Sequence, residues 1–124
     1  MATKPANAAQ KEWMTAIADF ASTELAVLYG DEFDQSSFQL HHVLGRSAKN
    51  NKVAIGHEFI LPVPTALHDV SSNHPENVTH CKKAFVKRFG TQRSLFYVMY
   101  QRMKEDGYNV PNIEIYNAIQ ATSA

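Results

Sequence analysis

Two adjacent histidines, His41 and His42, close the alternating run Phe38-Gln39-Leu40, and Gly45-Arg46 and an Asn-rich basic loop follow at once. All six histidines lie between positions 41 and 80. Imidazole is the side chain that is readily neutral near pH 7, able either to take a proton or to coordinate a metal. Hydrolysis of a phosphodiester at a one-cation centre needs both uses. One imidazole takes a proton from water, while others hold a divalent ion and leave positions open for phosphate. Along a strand, neighbouring residues point to opposite sides. Two consecutive histidines therefore share a face only where that alternation breaks, at a strand end or bulge, and this pair stands at such an end. One of them can then bind metal while the other addresses the water.

The charge distribution sets the field around the histidines. Formal net charge is zero, yet up to Leu40 there are two basic residues (Lys4, Lys11) against six acids, whereas His41 to Lys104 carries ten Lys and Arg against Glu58, Asp69 and Glu76. Such a segment suits a polyanion, and it equally suits a set of solvated faces. Arg46, Lys49 and Lys52 in the loop, and Lys83 and Lys87 further on, are the candidate phosphate contacts. Lys82 and Arg88 extend the same basic helix face.

The elements that must position these groups read as follows. Trp13, Ile17, Phe20 and Ala21 recur at helical spacing, predicting a helix over about 8–21, and a short second helix over 24–29 is stopped by Gly30. Phe38 to His42 reads as a strand and His57 to Pro64 as its partner, ended by Pro62 and Pro64, with 45–56 a loop between them. After one turn or a short helix and a turn cluster, Pro75 and Glu76 suit the start of a helix whose core face is Val78, Cys81, Phe85 and Phe89, closed by Gly90. Thr91 caps the next helix, in which Leu95, Val98, Met99 and the Arg102 stem are expected to pack inward or at the rim; the tail adds a short helix.

At 124 residues the chain suits one domain, 1–124, made of an N-terminal helical region (1–35), a core (36–90) and a C-terminal helical region (91–124). No apolar run approaches the ~20 residues of a membrane span, and the first residues lack the pattern of a signal peptide, so a cytoplasmic, membrane-free protein is expected. The single cysteine, Cys81, excludes an intrachain disulfide and reads as a small buried hydrophobe. Asn77-Val78-Thr79 matches a glycosylation acceptor, which has no consequence in that compartment.

The string "LHHVLGR", then "HEFILPVPTALH", resembles the His-Me finger (HNH-type, ββα-metal) nuclease superfamily. With "HCKKAFVKRFG" downstream it is closest to the phage recombination-enhancement (Ref) nuclease family. The likeness covers roughly Phe38 to Leu95. It implies an α+β fold, a ββα-metal hairpin plus helix with flanking N- and C-terminal helices. It implies a divalent-metal-dependent endonuclease acting on DNA, using Mg²⁺, Mn²⁺ or Zn²⁺, in a phage setting within a bacterial cytoplasm and linked to a recombinase filament. By position, His42 would be the general base and His41 and His68 metal ligands, with His80 a further ligand or phosphate contact. His57 and His74 would be support around the site, His57 competing with Asn50 and Asn51 to orient the base. The "PLC" end of the family's second strand reads Pro62-Val63-Pro64 here, and the Cys-x-x-Cys that often precedes the histidine pair is absent. Two other readings are open: a non-enzymatic, zinc-stabilised DNA-binding or adaptor module of phage recombination or packaging, and a homotypic assembly protein whose last helices pair.

Overall fold

A computed structural model describes residues 5–69, 71 and 73–124; Lys4 of the acidic first segment, and Val70 and Ser72 of the expected turn cluster, lie outside them. The order is α1 (Ala8–Glu24), α2 (Ala26–Tyr29), β1 (Phe38–His42), β2 (Lys49–Asn50), β3 (Val53–Ala54), β4 (Ile60–Pro64), α3 (Thr65–His68), α4 (Lys82–Phe89), α5 (Gln92–Glu105) and α6 (Ile113–Gln120). This is a mixed α+β fold around one small antiparallel pair, β1 with β4.

Helix α1 starts where Asn7 and Gln10 cap one another reciprocally, and it buries the stripe expected of it, Trp13, Ile17, Phe20 and Ala21. That stripe and the buried face of α5 (Gln92, Leu95, Phe96, Met99, Tyr100, Met103) pack on β4, which is buried along its whole length. The Trp13 indole N–H donates to the Glu58 carbonyl at 2.9 Å, tying α1 to the start of β4. Thr91 caps α5 as expected, accepting from the Ser94 N–H. Leu95 and Met99 pack inward, whereas Val98 is 40% exposed, because the buried positions follow the i, i+3, i+4, i+7 stripe from Gln92 and leave it off that face.

Pro64 ends the second strand, as expected, but Pro62 does not: it lies within the strand, opposite Leu40, while Pro64 stands opposite Phe38. The ladder bonds Val43 N–H to Phe59 O and Thr65 N–H to Ser37 O bracket the pair. In this register the bonding positions are therefore Ser37, Gln39, His41 and Val43, and the prolines occupy the alternate positions, where no N–H is needed by β1. The Pro62 carbonyl, turned away from β1, accepts from the buried Tyr29 hydroxyl at 2.6 Å.

The segment 45–56 is not a plain loop. It holds the two-residue hairpin β2–β3, whose turn residues Asn51 (φ 51°) and Lys52 (φ 66°) are both left-handed, as a type I′ turn requires. Gly56 closes its base: a Cβ there would stand 2.1 Å from the Arg46 carbonyl oxygen. Asn50 Nδ2 donates to the Ala118 carbonyl at 2.9 Å, anchoring the hairpin on α6.

The helix expected from Pro75 begins only at Lys82. Asn77, fully buried, diverts the chain: its Oδ1 accepts from the Thr79 and His80 N–H groups and its Nδ2 donates to the Asp69 carbonyl. A side chain that satisfies backbone donors itself competes with helix formation. Beyond it, Phe85 is buried, Phe89 and Cys81 are half-buried, and both phenylalanine rings pack on Tyr29.

Candidate functional site

Strand β1 is regular to its end, pairing His41 with Leu61 and His42 with Ile60. The break in alternation that would bring the two histidines to one face is absent, because the Val43–Phe59 bond continues the ladder past them. Each imidazole has a different neighbour: His41 meets His68 and His42 meets His57.

The His41–His68 pair is made by chain reversal. Helix α3 follows β4 without a linker, and Ser37 and Thr65 join its start to β1 through their hydroxyls at 3.0 Å. One turn later His68 comes back over the β1 face that carries Gln39 and His41. His41 Nδ1 lies 3.1 Å from His68 Nε2, with ring centroids 4.9 Å apart. On its other side His68 Nδ1 hydrogen-bonds Gln39 Oε1. An amide oxygen only accepts, so His68 carries its proton on Nδ1 and turns the Nε2 lone pair toward His41. Burial lowers the His41 pKa to about 4, helped by the neighbouring His68; the Gln92 side chain works the other way, and the Lys82 charge adds to the lowering. Burial also lowers the His68 pKa, against the pull of Asp69. Both rings are therefore neutral at pH 7, the form that ligates a metal.

The spacing suits that use. Two nitrogens 3.1 Å apart, each about 2.0–2.1 Å from one ion, subtend roughly 100° at it, between octahedral and tetrahedral angles. Among the described residues, no three His, Cys, Asp or Glu side chains gather where they could hold a metal ion. The pair thus fits the histidine share of a cation site, and the rest of the donor set must come from neutral amides, water or phosphate. His80 does not join the pair: it is exposed, and its N–H caps the Asn77 turn.

On the other face, the His42 and His57 rings stand 5.6 Å apart, nearly perpendicular. His42 Nε2 is buried and makes no hydrogen bond. Its pKa is lowered by burial first, then by Arg46 and His57. A neutral imidazole with an unused ring nitrogen has the chemistry of a base, but this nitrogen is shut off from solvent, on the face opposite the His41–His68 pair. His57 is buried beside it, and neither Asn50, bonded to α6, nor Asn51, in the turn, is in a position shown to orient it. His74 belongs to the turn before α4: its Nδ1 accepts from the Glu76 N–H at 3.0 Å, and its ring packs 6.1 Å from Phe33.

The basic candidates divide. Arg46 helps lower the His42 pKa and Lys82 that of His41, and both side chains are exposed. Lys49, Lys52, Lys83 and Lys87 are exposed. Arg88 instead pairs with Glu32 and Glu76 and lies over the Phe33 and Phe89 rings. Two residues near the site carry roles that the motif does not announce: Gln39 and Asn77. Gln39 was readable as sharing a face with His41 by strand alternation. Asn77 looked only like a glycosylation acceptor, a use its burial precludes in the folded chain.

Compared with family models, curated proteins and solved structures, the chain matches none of them. Among the described residues no helix is long and apolar enough to cross a membrane.

Proposed function

We propose that this chain is a divalent-metal-dependent endonuclease that hydrolyses DNA phosphodiester bonds, working in phage DNA recombination or processing. The observation that carries the reading is the 3.1 Å approach of two neutral imidazole nitrogens, His41 Nδ1 and His68 Nε2, beside the end of β1. A divalent cation bound there would supply Lewis-acid stabilisation of the phosphate and leaving oxygen. His41 and His68 hold it. His42 takes the water proton at Nε2, which requires that buried nitrogen to open to solvent and a phosphate that straddles the strand end and reaches both faces. Arg46, Lys49, Lys52, Lys83 and Lys87 hold the DNA backbone.

The opposite-face placement of His42 favours a second reading, a zinc-stabilised DNA-binding or adaptor module without cleavage. The discriminating experiment incubates supercoiled plasmid and single-stranded DNA with protein and Mg²⁺, Mn²⁺ or Zn²⁺, with and without a recombinase filament. Wild-type cleavage that disappears in His41→Ala, His68→Ala and His42→Ala supports the enzyme. Cleavage that survives His42→Ala removes that residue as the base. Binding without cleavage under every condition transfers the chain to the adaptor reading.

A further inference from the structure

A cleft of about 830 Å³ opens between helix α1 and the connector 107–112 that leads from α5 to α6, and no histidine lines it. That volume lies in the range of small-molecule sites, about 300–1,000 Å³. Its charge is one-sided: Glu12, Asp19 and Glu58 line it, and no Lys or Arg does. Glu12 and Asp19 are exposed on α1, whereas Glu58, in the turn before β4, is only 8% exposed. The Glu58 carboxyl is half satisfied. Gln10, which also lines the cleft, donates its Nε2 to Oε2 at 3.0 Å, while Oε1 is buried and accepts no hydrogen bond. The Trp13 indole, part of the same wall, fixes this residue through its bond to the Glu58 carbonyl. Across the cleft the Tyr108 hydroxyl donates to Asp19 Oδ2 and joins the connector to α1. A buried carboxyl oxygen without a donor costs stability until one reaches it.

We propose that this cleft binds a small organic cation, an amine or a guanidinium compound, whose N–H groups donate to the Glu58 carboxyl. Asp19 and Glu12 supply the negative field around it. A guanidinium matches the carboxyl best, because its forked N–H donors reach two oxygens at once. The Gln10 amide already places one N–H donor on Oε2, and it is the group that the ligand displaces. The Trp13 and Tyr108 rings give apolar wall to the carbon chain of the ligand. An anion would meet three acidic side chains, and a neutral molecule would leave their charge unbalanced. The inference stands apart from the nuclease reading, since it uses none of the histidines.

The test titrates the full chain with agmatine, which carries a guanidinium and an amine on one short chain. Calorimetry and backbone amide shifts follow it, with putrescine as the diamine and the neutral diol of the same chain length as control. Agmatine should bind and shift the amides of Gln10, Glu58 and 107–112, and the diol should not. Glu58→Gln should weaken binding about 10–100-fold, the loss expected of one charge-assisted hydrogen bond, and Asp19→Asn should weaken it less. Thr15→Trp, at an exposed α1 position that lines the cleft, should block it, which keeps the test decisive if Glu58→Gln fails to fold. Absence of binding by both agmatine and putrescine overturns the inference. Equal binding of the diol overturns it too, as does binding that is unchanged in a folded Glu58→Gln or in Thr15→Trp. None of these outcomes bears on the metal-centre reading, which involves no residue of the cleft.

Discussion

At the residue scale, the histidine motif is a matter of which protonation state each ring is held in. His41 titrates near 4 in the folded chain, against an ordinary value of 6.5. As pH falls below about 6.5 the unfolded chain takes up the His41 proton first, so folding stability falls with pH until the folded form also protonates near 4. From pH 7 to pH 5 that difference amounts to about 2 kcal/mol, since one pKa unit is about 1.4 kcal/mol. His68 and His42 shift in the same direction and add to the trend. Urea titrations at pH 7 and pH 5 should show this loss, and His41→Phe should remove most of the His41 share. An equal loss in that variant would assign the acid sensitivity to other groups. Saturating Zn²⁺, which binds only the neutral rings, should deepen the pH dependence in the wild type and leave His41→Phe unaffected.

At the element scale, the site depends on segments that carry no catalytic-looking residues. Asn77 ties the end of α3, and with it His68, to the turn before α4, and the Val78 N–H reaches the Leu67 carbonyl at 2.7 Å in the same clamp. Asn77→Ala should cost about 1–3 kcal/mol by leaving buried backbone groups without partners, and should weaken cation binding with it. Loss of stability with unchanged metal affinity would limit Asn77 to a structural role. The hairpin offers the opposite experiment. Lys52 holds a left-handed φ of 66° that costs a non-glycine residue about 1 kcal/mol, so Lys52→Gly should raise stability by about that amount while removing one candidate DNA contact. Thermal melts and DNA affinity measured together separate the two effects. These elements also mark what was legible in the sequence. Helix α1, the capped α5 and the β1–β4 pairing follow from local periodicity and caps, which are properties of neighbouring residues. The facing of His41 and His42, the interior place of Pro62 and the late start of α4 depend on register and on one buried asparagine. Those are settled by contacts across 8 to 30 residues, which periodicity does not encode. For the same reason the histidine motif indicated His41 and His68 while leaving Asn77, which ties the His68 end of α3, unmarked.

At the scale of the whole molecule, the formal charge of zero means that long-range attraction to DNA is weak, and binding has to come from where the cations stand. The acidic first segment and the basic middle are not simply two poles: Arg88 is neutralised by Glu32 and Glu76, and Arg102 by Glu24. That pairing removes two of the ten middle cations from the field and leaves Arg46 and Lys82 as the ones that act on the histidines. If phosphate lies over the end of β1, those two contribute direct contacts, and each should account for about one unit of the slope of log affinity against log salt. Fluorescence anisotropy on a short duplex, titrated with salt, should therefore give a shallower slope by about one for Arg46→Ala and again for Lys82→Ala. Lys104→Ala, at the exposed end of α5 and equal in charge, should leave the slope nearly unchanged. Equal effects from all three would mean that the DNA responds to net charge alone, and the end of β1 would lose its claim to the backbone.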